Sequence, residues 1–444
     1  MSRTTQIFCV STLYGAATLA AAIDADCFAE ADRRLLLVCN NSATPETTPS
    51  VHEMPGFGPL RDHFDDVVFY NDAIRPFHPG AWSPRADDLP LFERYLRKLW
   101  ALGDDRVELA VESLQVNPAL ALAQMFTGAP IHVYADGLMS YGPTRNKLDP
   151  LVGTRVRRLL HLDLVPGLVP MLLTEFDVPA QVVPTQTFTK VLSSLTGASG
   201  ELPALPENAA LLLGQYLSAL NILTPAEEEE LHVRMMRGAA ERGHRSIVFK
   251  PHPTAPARYS LALETEAEKL GVDLTVLDSP VLAEALFEKT RPALVVGCFS
   301  TALFTASAFY DLPVARVGTE PLLDRLTPYQ NSNRVPVTLA DVLLPDLESP
   351  RDDTTAVPSD LLGPLITTIG FTMQPQIYPS LRPAAERFLA AHFGPRTQRY
   401  FKRRRLTSLG LPGGIPERLA FLPRNSTARR VVRRARALKK AVKR

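Results

Sequence analysis

Short, continuously apolar runs alternate with longer stretches of helical period along most of the chain. Ile7-Phe8-Cys9-Val10, Leu35-Leu36-Leu37-Val38 and Ile247-Val248-Phe249 are examples of the first kind, the pattern of strands buried within a sheet. The pattern predicts strands over 6–11, 35–39, 66–70, 106–111 and 131–134, with helices from the polar turn at 11–15 to about 31, over 92–102 and over 118–126. Strand–helix alternation of this kind implies a mostly parallel sheet. Gly197, Gly200, Pro203 and Pro206 then mark a linker.

A second series follows. Strands are expected over 209–213, 247–249, 274–277, 293–297 and 313–317, with helices over 225–242, 258–270, 281–288 and 301–309. Thr224 is the N-cap expected for the first of these, with Pro225 at its first position and acidic residues in its first turns. Residues 320–375 are Pro-rich and read as irregular, and 379–392 reads as a final helix. The organisation expected is a domain over 1–199, a second over 207–375, a helical segment over 376–420 and a tail over 421–444. No internal repeat is visible.

At 444 residues the chain is long enough for two or three domains. Its 45% hydrophobic and 21% charged residues are ordinary for a globular protein, and a net charge of +1 argues against a nucleic-acid binder. The charge is unevenly placed: residues 421–444 carry ten Lys and Arg and no acid. Val431, Ala435, Leu438 and Val442 fall on one helical face there, so 427–444 reads as a basic amphipathic helix suited to an anionic membrane surface, or equally as a solvated tail. No run of 18 apolar residues is present. Ser11, Thr12, Tyr14 and Gly15 interrupt the apolar N-terminus, which reads as strand, loop and helix in preference to a secretion signal. Four scattered cysteines give no disulfide framework. The expected location is the cytoplasm, with peripheral contact at the inner membrane face.

Three places carry candidate chemistry. Lys250-Pro251-His252-Pro253 follows an apolar strand, and the two prolines hold the imidazole on a stiff extended stub at the carboxyl edge of the sheet, where ligands bind in open α/β folds. A Pro-bounded strand end with a solvated His and Lys has the same pattern. Tyr134-Ala135-Asp136-Gly137 places a carboxylate directly after another strand, with Gly137 permitting a tight or left-handed turn; an Asx-turn explains it equally. Gly297-Cys298-Phe299-Ser300-Thr301 joins a strand to a helix, putting Ser300 and Thr301 at an N-terminus that favours an anion or simply carries a capping hydroxyl. No P-loop, complete G-x-G-x-x-G, paired cysteines or H-E-x-x-H occurs. Asp24-Ala25-Asp26 falls in an expected helix and reads as a solvated face.

Tyr-x-Asp-Gly at 134–137, Lys-Pro-His-Pro at 250–253 and Ser300-Thr301, in that order, resemble the motifs of bacterial sialyltransferases, the α-2,8-polysialyltransferase-type family above all. The stretch 134–145, Gly214-Gln215-Tyr216 and 280–284 add to the likeness, which spans roughly 5–375. The resemblance implies a GT-B fold: α/β, with two Rossmann-like domains facing a central cleft. It implies inverting transfer of sialic acid from CMP-sialic acid to a glycan hydroxyl, without metal or cofactor. Asp136 would be the general base and His252 the acid or phosphate contact, with Lys250, Ser300, Thr301, Gly214, Gln215 and Glu284 on the donor side. Ser11, Thr12, Tyr14 and Gly137 would line the acceptor side. The family's acid before Asp-Gly is absent, since Ala135 stands there. Competing readings are a GT-B enzyme with another nucleotide donor and a non-catalytic glycan- or nucleotide-binding homologue.

Overall fold

A computed structural model describes residues 3–200, 205–206, 208–252, 258–277, 279–349 and 356–415. The tail expected over 427–444 lies outside them. In the first sheet the chain lays down β1 (Thr4–Val10), β2 (Arg33–Val38), β3 (Asp66–Phe69), β4 (Arg106–Glu112), β5 (Ile131–Ala135), β6 (Val156–Leu162) and β7 (Ala180–Val183). All pair in parallel, in the order β3-β2-β1-β4-β5-β6-β7. The second sheet holds β8 (Ala210–Leu213), β9 (Ser246–Lys250), β10 (Asp273–Val276), β11 (Leu294–Gly297) and β12 (Val314–Arg316), again parallel, in the order β10-β9-β8-β11-β12. Two doubly wound sheets, each with helices against it, make the α/β architecture that the resemblance implies.

Alternate residues of the first sheet feed two cores. Ile7, Cys9, Leu35, Leu37, Leu109 and Val133 face an outer layer that includes Trp100, Leu122 and Phe126. Phe8, Val10, Leu36, Val38 and Tyr134 face an inner core that continues without a break into the second domain. The helix Thr185–Ala198 bridges the two. Its Phe188 ring meets Tyr14 at 5.3 Å and Phe309 at 5.9 Å, both edge-on.

Three features differ from the sequence expectation. The first helix ends at Asp24, not near 31, and Asp26 takes a left-handed φ of 52°. β6 and β7 are strands that the apolar pattern did not mark: β6 opens Val-Arg-Arg, and β7 is a short edge strand. Their backbone pairing is supplied by neighbours distant in sequence. The segment 320–375 is largely helical instead of irregular, with helices Thr319–Arg325, Arg334–Leu343 and Ser359–Met373. Pro321 and Pro336 sit in first turns, where the missing N–H has no partner to lose. Pro364 lies inside the third helix, which buries Leu362, Leu365, Ile366 and Ile369 nonetheless. The expected end helix is present as Arg382–His392.

The third helix returns to the first domain. Gly370 lies directly against the Met171 thioether, which would have to move to admit a Cβ there. Just beyond it, the Tyr378 hydroxyl donates to Glu175 Oε2 at 2.8 Å and accepts from the Thr144 N–H at 2.9 Å.

One buried cation fastens this region. Arg334 is fully buried, lies 4.1 Å over the Tyr329 ring, and donates to the carbonyls of Tyr329 (2.9 Å), Leu326 (3.1 Å) and Leu323 (3.4 Å). Its helix packs on Leu138–Tyr141, beside the cleft described next. Arg334→Met would strand those carbonyls without donors and is expected to cost roughly 3 kcal/mol. Chemical denaturation would check this as a lower midpoint.

Candidate active site

The strand order reverses at two places. In the first sheet the chain leaves β1 toward β2 and β3, then returns to β4 on the other side; in the second it leaves β8 toward β9 and β10 and returns to β11. Loops at such switch points diverge and open a crevice beyond the carboxyl ends of the strands. The two crevices face each other and form one cleft of about 660 Å³.

Asp136 and His252 line this cleft together. Asp136 directly follows β5 in the first domain and His252 follows β9 in the second. Asp136 is half-buried. Burial, then the Glu112 carboxylate, push its pKa up to about 7; its own backbone N–H pulls it down, by more than Glu284 adds. The His252 ring is exposed to the cleft, with the Tyr216 ring 6.3 Å away. Desolvation by the cleft walls lowers its pKa, Glu228 opposes this, and Lys250 reinforces it.

Ser300 and Thr301 also line the cleft, at the start of the helix Thr301–Tyr310. Ser300 Oγ caps the Ala302 N–H at 3.3 Å. The Phe299 N–H donates to Gln215 Oε1 at 3.1 Å, so Gln215 ties the loop after β8 to the loop after β11. Gly214 lies in the same wall. A Cβ there would stand 2.9 Å from the Phe249 ring and 3.2 Å from Pro251 Cα, and the Gly214 N–H donates to the Lys250 carbonyl at 2.9 Å. The buried Phe249 ring and the Pro251 backbone beneath His252 together favour glycine at 214.

The other sequence candidates lie further out. Lys250 does not line the cleft; its ammonium donates to the Ser279 carbonyl at 2.9 Å. Glu284 is buried behind the cleft wall with a pKa near 7, raised by burial and lowered by its own backbone N–H, Thr305 and Lys250. Tyr14 reaches across the domains, its hydroxyl 3.3 Å from Thr305 Oγ1. Thr12 caps the first helix by accepting from the Gly15 N–H at 2.9 Å. Ser11 donates to Glu112 Oε2 at 2.6 Å. Gly137 does not use the left-handed freedom expected of it: its φ is −138°, and its smallness matters because a Cβ would stand 3.2 Å from Thr301 Oγ1 of the other domain.

Sequence reading missed Glu112, Gln115 and Arg145. Glu112 carried the same signal as Asp136, an acid at the end of an apolar strand, and ends β4 at the switch point. Arg145 is exposed on the cleft wall and donates to Ser332 Oγ at 3.1 Å. Ser332 and Asn333, also lining the cleft, come from the Pro-rich stretch whose composition predicts irregular structure. Among the described residues no cluster of His, Cys, Asp or Glu is placed to hold a metal ion, and no helix is long and apolar enough to cross a membrane.

The family model described as alpha-2,8-polysialyltransferase (POLYST) matches residues 6–319. No curated protein sequence matches. Among solved structures, the chain is similar to the GT-B domain of a sialyltransferase from Photobacterium damselae, at 11% identity over 76% of this chain and 96% of that one, TM-score 0.40. It is similar to UGT2 of Phytolacca americana, at 11% identity over 92% and 99%, TM-score 0.44. MurG of Acinetobacter baumannii aligns at 10% identity over 90% and 97%, TM-score 0.39.

Proposed function

The chain belongs to the α-2,8-polysialyltransferase family and is a sialyltransferase-like glycosyltransferase, and from that premise we propose that it transfers a sialyl residue from CMP-sialic acid to a glycan hydroxyl with inversion. One observation carries this: Asp136 and His252, at strand ends of opposite domains, line a single cleft with Ser300 and Thr301.

Inverting displacement needs a base on the acceptor side and help for the leaving group on the other. Asp136 takes the proton of the attacking hydroxyl as its oxygen bonds to the anomeric carbon. The bond from that carbon to the phosphate oxygen breaks, and its electron pair leaves with CMP. His252 donates a hydrogen bond or proton to the departing phosphate. Arg145, His252 and the dipole of the helix Thr301–Tyr310 oppose the donor's negative charge. Glu112 bears on the missing family acid. Position 135 holds an alanine that packs against the outer core, while Glu112, on the neighbouring strand, raises the basicity of Asp136. A second carboxylate thus acts on the base from another strand.

Calorimetric titration with CMP, CDP and UDP tests the donor: CMP is expected to bind tightest, and a preference for UDP overturns the sialyl reading. A second expectation concerns His252. In the free protein its pKa lies below the ordinary value, so the ring is neutral near pH 7. A bound phosphate favours the imidazolium, and the His252 pKa measured by NMR titration is therefore expected to rise when CMP binds.

A further inference from the structure

Of the eleven residues in the helix Leu89–Leu99, only Leu96 is buried. Leu91, Arg94, Tyr95, Lys98 and Leu99 share its outward face, at spacings of three and four. Leu91, Leu99 and Tyr95 are 66%, 49% and 42% exposed, and Phe77 in the preceding loop is 55% exposed. Aromatic rings join the two elements. Phe77 stacks on Trp82 at 6.1 Å, Trp82 meets Phe92 edge-on at 5.0 Å, and Phe92 meets Tyr95 at 6.4 Å. The Tyr95 hydroxyl donates to the Ala73 carbonyl at 3.2 Å, which holds the helix to the start of that loop. A contiguous exposed apolar patch on so firm a support marks an interaction surface.

Its charges select the partner. Glu93, the one acid in the helix, pairs with Arg97 at 3.0 Å, and Asp88 just before it pairs with Arg85 at 2.7 Å. Asp87 stands in the turn ahead of the helix. Arg94 and Lys98 enter no ion pair among the described residues and lie between the leucines on the outward face. Long basic side chains lay their stems along apolar groups and lift their charges into a layer of phosphates. Tyr and Trp suit the same boundary, apolar at one end and wet at the other. A second copy of the chain fits less well, because a two-fold contact through this face would bring Arg94 and Lys98 of both copies into one desolvated interface.

The patch adjoins the acceptor side of the cleft. Between Phe77 and Trp82, His78 Nε2 donates to the Ser42 carbonyl at 2.8 Å. Gly80 abuts Asn41, which lines a recess that shares Glu112 and Ser113 with the cleft. We propose that the outward face of Leu89–Leu99, with Phe77 and Trp82, docks on an anionic phospholipid surface and sets the acceptor side of the cleft beside it. This docking does not depend on the proposed transfer reaction.

Trp82 and Trp100 are the two tryptophans of the chain, and Trp100 is only 3% exposed. Vesicles of brominated phosphatidylglycerol mixed with the full chain are therefore expected to quench emission from Trp82, and the quenching is expected to vanish in Trp82→Phe. In cosedimentation with phosphatidylglycerol vesicles, Leu91→Gln combined with Leu99→Gln is expected to weaken binding about tenfold. No quenching, quenching that survives in Trp82→Phe, or unchanged affinity in the leucine variant overturns the proposal. Binding carried by the basic residues of 421–444 alone leaves Trp82 unquenched, with the same consequence. A dimer that forms only when Leu91 and Leu99 are intact, seen by sedimentation without vesicles, assigns the face to self-association and also overturns it. Should the leucine variant melt at a lower temperature, Arg94→Gln combined with Lys98→Gln must weaken vesicle binding about tenfold; full affinity there is equally fatal.

Discussion

Asp136→Asn is expected to lower sialyl transfer by about 10²–10⁴-fold, the usual contribution of a positioned base, with donor binding retained. Asparagine keeps the shape and cannot take the hydroxyl proton. Azide, a nucleophile with no proton to lose, is expected to restore part of the turnover of the variant when it replaces the glycan. A radiolabelled CMP-sialic acid assay reads both results, and wild-type rates in the variant would remove Asp136 from the mechanism.

The same residue sets two pH dependences of opposite kind. Its folded-state pKa is raised from the ordinary 3.8 to about 7, so the base is protonated and idle below that value. Transfer should climb as pH rises through about 7. For stability the sign reverses. Between its ordinary value and about 7 the folded chain holds a proton that the unfolded chain has released, so stability falls as pH rises across that window. Glu284, raised to about 7 by burial, acts in the same direction. Asp136→Asn removes one of these penalties and is expected to raise the melting temperature more at pH 8 than at pH 5. A stabilised, inactive variant is the signature of a strained catalytic group.

His252→Ala should produce a loss of similar size by another route. The departing phosphate then lacks its donor, and CMP affinity falls along with the rate. A sialyl donor whose leaving group needs no protonation, such as a nitrophenyl sialoside, is expected to be used by His252→Ala with a much smaller deficit than CMP-sialic acid. Asp136→Asn should show no such relief with a glycan acceptor. If both variants respond alike to the change of leaving group, the division of roles between the two domains is wrong.

The apolar runs made most of this fold legible. Strands buried on both faces, such as Leu35 to Val38, have one environment in any arrangement, so local composition announces them. The Ser300 and Thr224 caps are read in the same local way, and both are present with the hydrogen bonds they promise. β7 is different: its alternating exposure at the sheet edge becomes a strand because Leu159 to Leu162 offer it a partner. The helices after residue 319 were hidden for a related reason. Their prolines lower local helix preference, while burial against Met171, Pro143 and Tyr329, unknowable from the segment itself, supplies the stability.

For the site, sequence alone determined which groups stand at strand carboxyl ends. Asp136, His252 and Ser300 could be placed because a strand's end, a proline's fixed φ and a helix cap are each defined within a few residues. Only the tertiary structure decided what those groups face. It set Glu112 beside Asp136, turned Lys250 toward Ser279, gave Gly214 and Gln215 the work of joining loops, and left Arg145 as the only Lys or Arg among the described residues lining the cleft. Charge, burial and reach across a cleft depend on residues tens of positions apart, and no local pattern carries that information.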